Sequence, residues 1–250
     1  MRRRVPLAVA LLLASGIVAP AQADHIAPIT LSDLNTSATF DIHSQDGMFS
    51  WVVDGVNQLS QQWFWFRVGN TAEASIDTLP VVGFQVTDTN FFTDPADDTM
   101  TVRYGSASTF FIDIRYTLGG AAAGSGTAHM AELITVTNNS GSALDFHFFQ
   151  YSDFDLGGTP GGDTVALVNA NTVLVTGDAT VLNETVATPA GDHYELDFFA
   201  NTRTDLNDGV PTTLPDGSVV VGPGDVTWAF QWDRLICIGG SFTISKDKKF

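Results

Sequence analysis

Apolar and polar side chains alternate with a period of two through most of the chain. No window sustains the i, i+3, i+4, i+7 apolar spacing of an amphipathic helix. Ala38 to His43 alternates, with Phe40 and Ile42 on one side, and Met48 to Val53 forms a second run. Asp54-Gly55 then carries the signal of a type I′ hairpin turn, which needs positive φ at both central residues. The pattern predicts a return strand over Val56 to Val68. Val81 to Thr87, Met100 to Tyr104 and Thr109 to Leu118 follow, and in the last of these Ile112, Ile114 and Tyr116 share one side. Thr127 to Thr137 and Leu144 to Ser152 are joined by the turn-forming Asn138-Asn139-Ser140-Gly141. Val165 to Asn169, Val173 to Thr176, His193 to Phe199, Val219 to Val221, Val226 to Trp232 and Ser241 to Ser245 complete the series.

About thirteen or fourteen short strands, bounded by Gly, Asn, Asp and Pro, indicate an all-β fold. Phe146-His147-Phe148-Phe149 and Trp63-Phe64-Trp65-Phe66 are apolar on both faces, so these strands should be central and covered on both sides. An antiparallel β-sandwich of two large sheets fits best, with a closed β-barrel as the alternative. No Pro/Ser linker divides the chain. Residues 24–250 therefore read as one domain; a boundary, were there one, would fall at Gly157 to Gly162.

The first 23 residues stand apart from this pattern. Arg2, Arg3 and Arg4 precede an apolar run from Val5 to Val18, then Pro20 and the small-x-small triplet Ala21-Gln22-Ala23. This is the pattern of a secretory signal peptide cleaved before Asp24, and it predicts a protein secreted or held at the cell surface or in the periplasm. The run is short for a membrane span, and no later segment approaches 18 consecutive apolar residues.

Composition narrows the chemistry. The 250 residues carry 28 acidic and 11 basic side chains, a net charge of −17. Such a surface repels phosphate, which argues against nucleic-acid partners. The single Cys237 excludes an internal disulfide and every multi-cysteine zinc motif. Its Ile236-Cys237-Ile238 context predicts a buried thiol.

The best polar constellation is Tyr151-Ser152-Asp153-Phe154-Asp155, followed by a glycine-rich turn to Asp163. Asp153 and Asp155 alternate with aromatic residues, so both carboxylates point to one face. Asp163 could meet them, and three hard oxygen donors on a flexible loop suit Ca²⁺, which takes about six to eight oxygens. The same residues also read as a solvated acidic turn. The second acidic loop, Asp205-Leu206-Asn207-Asp208-Gly209, departs from calcium-loop spacing and is explained by its Asp-Gly turn. Glycosidase chemistry would need two facing carboxylates; Glu132, Glu195, Asp153 and Asp155 are available, and the sequence pairs none of them. There is no G-x-S-x-G, no H-E-x-x-H and no P-loop, so no catalytic residue is assigned. His147, between phenylalanines, reads as a hydrogen-bonded core residue. Trp63 and Trp65 share one side of their strand. They are candidates for stacking on sugar faces, with core packing as the other reading.

Several stretches resemble uncharacterised bacterial exported proteins of the kind that often carry a PEP-CTERM sorting tail. They include Trp51-Val52-Val53-Asp54-Gly55-Val56-Asn57, Gln61-Gln62-Trp63-Phe64-Trp65-Phe66-Arg67, Phe149-Gln150-Tyr151-Ser152-Asp153-Phe154-Asp155 and Gly240-Ser241-Phe242-Thr243-Ile244-Ser245-Lys246-Asp247-Lys248. The resemblance implies export and a β-rich fold and brings no catalytic residues. Such proteins usually continue into a Pro-Glu-Pro tail, and this sequence stops at Phe250. The first functional expectation is therefore an exported, acidic, non-catalytic sandwich of the cell envelope or extracellular matrix, with divalent cations as partners. The second is a carbohydrate-binding or carbohydrate-active protein with polysaccharide as its partner, and the third a secreted esterase-like hydrolase.

Overall fold

A computed structural model describes residues 27–177 and 180–250. The segment read as an export signal, residues 1–23, lies outside the described residues. Strands β1 (Ile29–Asp33), β2 (Thr36–Asp41), β3 (Gly47–Val53) and β4 (Val56–Asn57) come first. They are followed by β5 (Gln61–Val68), β6 (Ala74–Ser75), β7 (Val81–Thr87) and β8 (Thr99–Gly105). Next are β9 (Phe110–Gly119), β10 (His129–Asn138), β11 (Leu144–Asp153), β12 (Asp163–Asn169) and β13 (Thr172–Gly177). β14 (Thr180–Thr188) and β15 (His193–Phe198) lead to the short helix α1 (Asn201–Asp205). β16 (Val220–Gly224), β17 (Val226–Ile236) and β18 (Ser241–Lys249) complete the chain.

Two nine-stranded sheets face each other. The first runs β1-β2-β3-β5-β11-β17-β15, with β4 on β3 and β6 on β5; the second runs β16-β12-β13-β14-β18-β10-β9-β8-β7. Pairing is antiparallel except where β3 meets β5. Neither sheet closes on itself, so the fold is the expected sandwich and not a barrel. The single return strand expected over Val56 to Val68 is divided. The Asp54-Gly55 turn forms with both residues at positive φ, but pairing back onto β3 stops at Asn57. The Asn57 side chain accepts from the Trp51 N–H (2.9 Å) and donates to the Leu59 carbonyl (2.9 Å). It thereby takes over a backbone partner of β3 and turns the chain away.

β5, β11 and β17 are central and covered on both faces, as their apolar runs require. Inward, Phe66 and Phe146 lie parallel at 6.0 Å and both meet Phe110 of the second sheet, at 5.4 and 5.1 Å. Outward, the segment after α1 lies over the first sheet. Leu206 and Leu214 are buried, the Leu214 N–H donates to Gln231 (2.9 Å), and Arg67 donates to the Thr212 carbonyl (3.0 Å). Each buried Trp or Phe removes about 150–250 Å² from water, worth about 4–6 kcal/mol before entropic costs.

Four charges sit at the centre of this core. Glu132 on β10 and Glu184 on β14 flank Lys246 and Lys248 on β18, all with side chains out of solvent. Register explains the grouping: Glu132 is opposite Lys246, and Glu184 is opposite Lys248. Lys246 lies 2.6 Å from Glu132 and 3.1 Å from Glu184; Lys248 lies 2.7 and 3.1 Å from the same two carboxylates. Across the sheet interface, Gln150 donates to Glu184 (2.7 Å), as does the Trp228 indole (2.5 Å). Two positive and two negative charges cancel, so the quartet carries no net charge.

Burial works to raise the Glu184 carboxyl, but Lys246, Lys248, Gln150 and Trp228 outweigh it and hold it down at about 2. A carboxylate depressed in the fold stabilises fully above its unfolded value and loses that contribution as pH falls through the folded one. The window runs from 4.5 down to about 2, and the loss is on the order of 3 kcal/mol. Urea unfolding should therefore show the midpoint falling between pH 5 and pH 2.5, with a shallower fall in Glu184→Gln. Identical pH profiles for the two proteins would contradict this reading.

Asn138 is a second buried staple. Its amide donates to the carbonyls of Ser142 (2.8 Å) and Ile236 (2.9 Å), so the Asn138-Asn139-Ser140-Gly141 turn carries the chain from one sheet to the other. Cys237 corrects the sequence reading: it is exposed. β17 ends at Ile236, whose side chain points inward, and the next residue turns out to solvent.

Candidate functional site

Two polar groupings lie on the first sheet. The first is an acidic corner where β11 ends and β17 begins. Asp153 is the last residue of β11, Asp155 follows two residues later, and Asp225 immediately precedes β17. Carboxylate oxygens of these three lie within 4.8 Å of one another. The backbone fixes this placement: the Ser60 N–H donates to the Asp153 carbonyl (3.0 Å), the Asp155 N–H to Gln58 (3.0 Å) and the Phe199 N–H to the Asp225 carbonyl (3.0 Å). Asp153 is 2% exposed, while Asp155 and Asp225 are half-buried. Burial pushes Asp153 up to about 7, reinforced by the charges of Asp155 and Asp225, with Arg203 acting in the opposite direction. Burial likewise lifts Asp155 to about 6, with Asp225 and Asp163 adding to it. Such a corner either keeps protons at neutral pH or takes up a cation.

The expected pair Asp153 and Asp155 is thus brought together, but Asp163 is not the third member. It is buried, and its carboxylate accepts the Leu156 N–H at 3.0 Å, bracing the turn after Asp155. Asp225 takes the third place because β11 and β17 are neighbours, with Asp153 opposite Thr227. The carboxylates considered for glycosidase chemistry separate accordingly. Glu132 is paired with lysines in the core, and Glu195 is buried on β15, where burial and then Asp205 and Asp197 raise its carboxyl against a bond from Thr202.

The second grouping is an imidazole–carboxylate relay across β11, β17 and β15. His147 Nδ1 lies 2.6 Å from Asp233 Oδ1, and His193 Nε2 lies 3.6 Å from Asp233 Oδ2. His193 Nδ1 lies 2.7 Å from Asp216, which also accepts the Tyr194 N–H at 2.9 Å. Burial disfavours the Asp233 charge, but bonds from Gln231 and His147 outweigh it and hold its carboxyl below the usual range. Register again builds the row: His147 is opposite Asp233, and His193 is opposite Gln231. The relay opens at its β15 end on a cleft of about 440 Å³. His193, Asp216, Asp192 and Tyr194 supply polar groups there, and Leu167 and Phe230 an apolar wall.

Trp63 and Trp65 are not available to a ligand. They are 1% and 0% exposed. The Trp63 indole donates to Ser75 (3.0 Å) and Asp77 (3.2 Å), and that of Trp65 to Asn207 (3.3 Å). The segment after α1 and the β6 region cover the face that the sequence left open. In the Asp205 to Gly209 loop, Asn207 is held by Gln45 (2.8 Å) and donates to the Arg203 carbonyl (2.8 Å), which is a structural role.

No protein-family model matches the chain. No curated protein matches it either. Solved structures do. A bacterial glucoamylase in complex with acarbose superposes with a TM-score of 0.61 at 10% identity, over 93% of this chain and 34% of that one. A putative aldose 1-epimerase from Escherichia coli K12 superposes with a TM-score of 0.54 at 10% identity, over 89% of this chain and 98% of that one. The chain spans about a third of the glucoamylase's length and nearly all of the epimerase's. At this identity the likeness establishes a shared fold. No helix among the described residues is long and apolar enough to cross a membrane.

Proposed function

We propose that this chain is an exported carbohydrate-binding protein that receives a sugar in the cleft at the β15 end of the first sheet. The observation that carries this reading is the relay of His147, Asp233, His193 and Asp216 opening on that cleft. Sugars present adjacent hydroxyls that donate and accept on one side and an apolar C–H face on the other. Imidazoles and carboxylates fixed by one another answer the hydroxyls, and a Phe230 and Leu167 wall answers the C–H face. Sharing a fold with proteins whose names specify glucoamylase and aldose epimerase action supports the same class of ligand. The basic and apolar residues 2–18, followed by Ala21-Gln22-Ala23, support export.

Isothermal titration of the purified chain against a panel of mono- and oligosaccharides tests the reading. At least one saccharide should bind. His193→Ala and Asp216→Ala should weaken it about 10- to 100-fold, the worth of one charge-assisted hydrogen bond. Absence of binding across neutral and acidic saccharides, or affinity unchanged in both variants, would overturn it. Conversion of the bound sugar would assign the relay an acid–base role as well.

A further inference from the structure

We propose that Asp153, Asp155 and Asp225 form a calcium site at the corner between β11 and β17, independent of the sugar cleft. The case starts from an unpaired atom. Asp153 is 2% exposed, and although Ser60 bonds to its carboxylate, its buried Oδ1 has no hydrogen-bond partner, while the carboxylate faces those of Asp155 and Asp225. A buried carboxylate oxygen without a partner costs on the order of 1–3 kcal/mol or more, so folds rarely keep one without a use. Among the described residues, no lysine or arginine lies within ion-pair distance of these three carboxylates. The nearby Arg203 guanidinium is engaged elsewhere: it donates to Gln61 (2.7 Å) and lies over the Phe199 ring (4.9 Å). Three mutually repelling carboxylates are thus held together by backbone bonds; Arg203 acts on Asp153 only from a distance, and none of the three has an ion-pair partner among the described residues.

The donor set favours Ca²⁺. The three carboxylate oxygens lie within 4.8 Å of one another, a cluster that the flexible six- to eight-oxygen shell of Ca²⁺ accommodates more readily than the strict octahedron of Mg²⁺. Half-buried Asp155 and Asp225 leave the corner open to solvent, so the ion has an entry route and water can complete its shell.

The test is thermal unfolding of the full chain in EDTA, CaCl₂ or MgCl₂ at neutral pH, together with calcium titration by calorimetry. Calcium at about a hundredfold its dissociation constant should raise the melting temperature by about 5–10 °C. Magnesium at the same concentration should do less. Asp155→Asn and Asp225→Asn, both at partly exposed positions, should lose the calcium response. Asp153→Asn should lose it too while melting no lower than wild type in EDTA, which separates a lost site from a lost fold. No shift in millimolar calcium, an equal shift with magnesium, or a calcium shift retained in Asp155→Asn and Asp225→Asn would overturn the assignment. Saccharide affinity is read separately, so failure here leaves the cleft reading standing, and the reverse also holds.

Discussion

Glu184→Ala is expected to cost about 3–5 kcal/mol, the largest loss from any single polar substitution in this chain. The reason is the imbalance it leaves. Lys246 and Lys248 keep their positive charges inside the sandwich, and Glu132 alone must serve both. The Trp228 indole loses its acceptor at the same time, and the Gln150 amide keeps only Ser152. Replacing all four charges together tells a different story. With Glu132→Leu, Glu184→Leu, Lys246→Met and Lys248→Met, the desolvation cost of four ions disappears along with their attraction. The expected net change is within about 2 kcal/mol of wild type, in either direction. Urea unfolding measures both. A single variant as stable as wild type, or a quadruple variant that falls as far as Glu184→Ala, would show that the quartet is not the balanced unit its geometry describes.

Trp65→Ala should lower stability by about 3–5 kcal/mol and leave saccharide affinity unchanged. The side chain is wholly buried on the outer face of β5, edge-on to Tyr151 at 6.1 Å, and bonded to Asn207. Removing it opens a cavity beneath the segment that follows α1 and frees Asn207, which also holds Gln45. Chemical denaturation gives the first quantity and calorimetry the second. A loss below 1 kcal/mol accompanied by weakened sugar binding would restore Trp65 as an exposed stacking platform.

The strands were legible because period-two alternation and turn chemistry are local. Phe146-His147-Phe148-Phe149 marked a strand covered on both faces, and β11 is one. Asp153 and Asp155 were legible as a pair because residues two apart in extended chain share a face. Their third partner was not, since Asp225 joins them only through the pairing of β11 with β17, a contact between segments some seventy residues apart. The relay was hidden for the same reason: His147, His193 and Asp233 stand on three strands whose adjacency no short-range signal specifies. The buried lysines did leave a signal. Ile244, Lys246 and Lys248 continue one inward-facing row, as do Met130, Glu132 and Ile134. Charged residues at inward positions on two strands imply partners on neighbouring strands, and a strand taken to end at Ser245 stops one residue short of them. Trp63 and Trp65 could not be placed by alternation alone, because what covers their face comes from the segment after α1 and from Ser75 and Asp77 beside β6.

Hydrogen–deuterium exchange with and without a saturating saccharide probes the central claim most directly, since it reports where the ligand sits. Protection confined to the cleft-lining segments, β15, residues 214–219, the end of β12 at residues 167–170, and β17 at Phe230 to Asp233, is the predicted result. Protection elsewhere with those segments unchanged, or no protection by any saccharide tested, would contradict it.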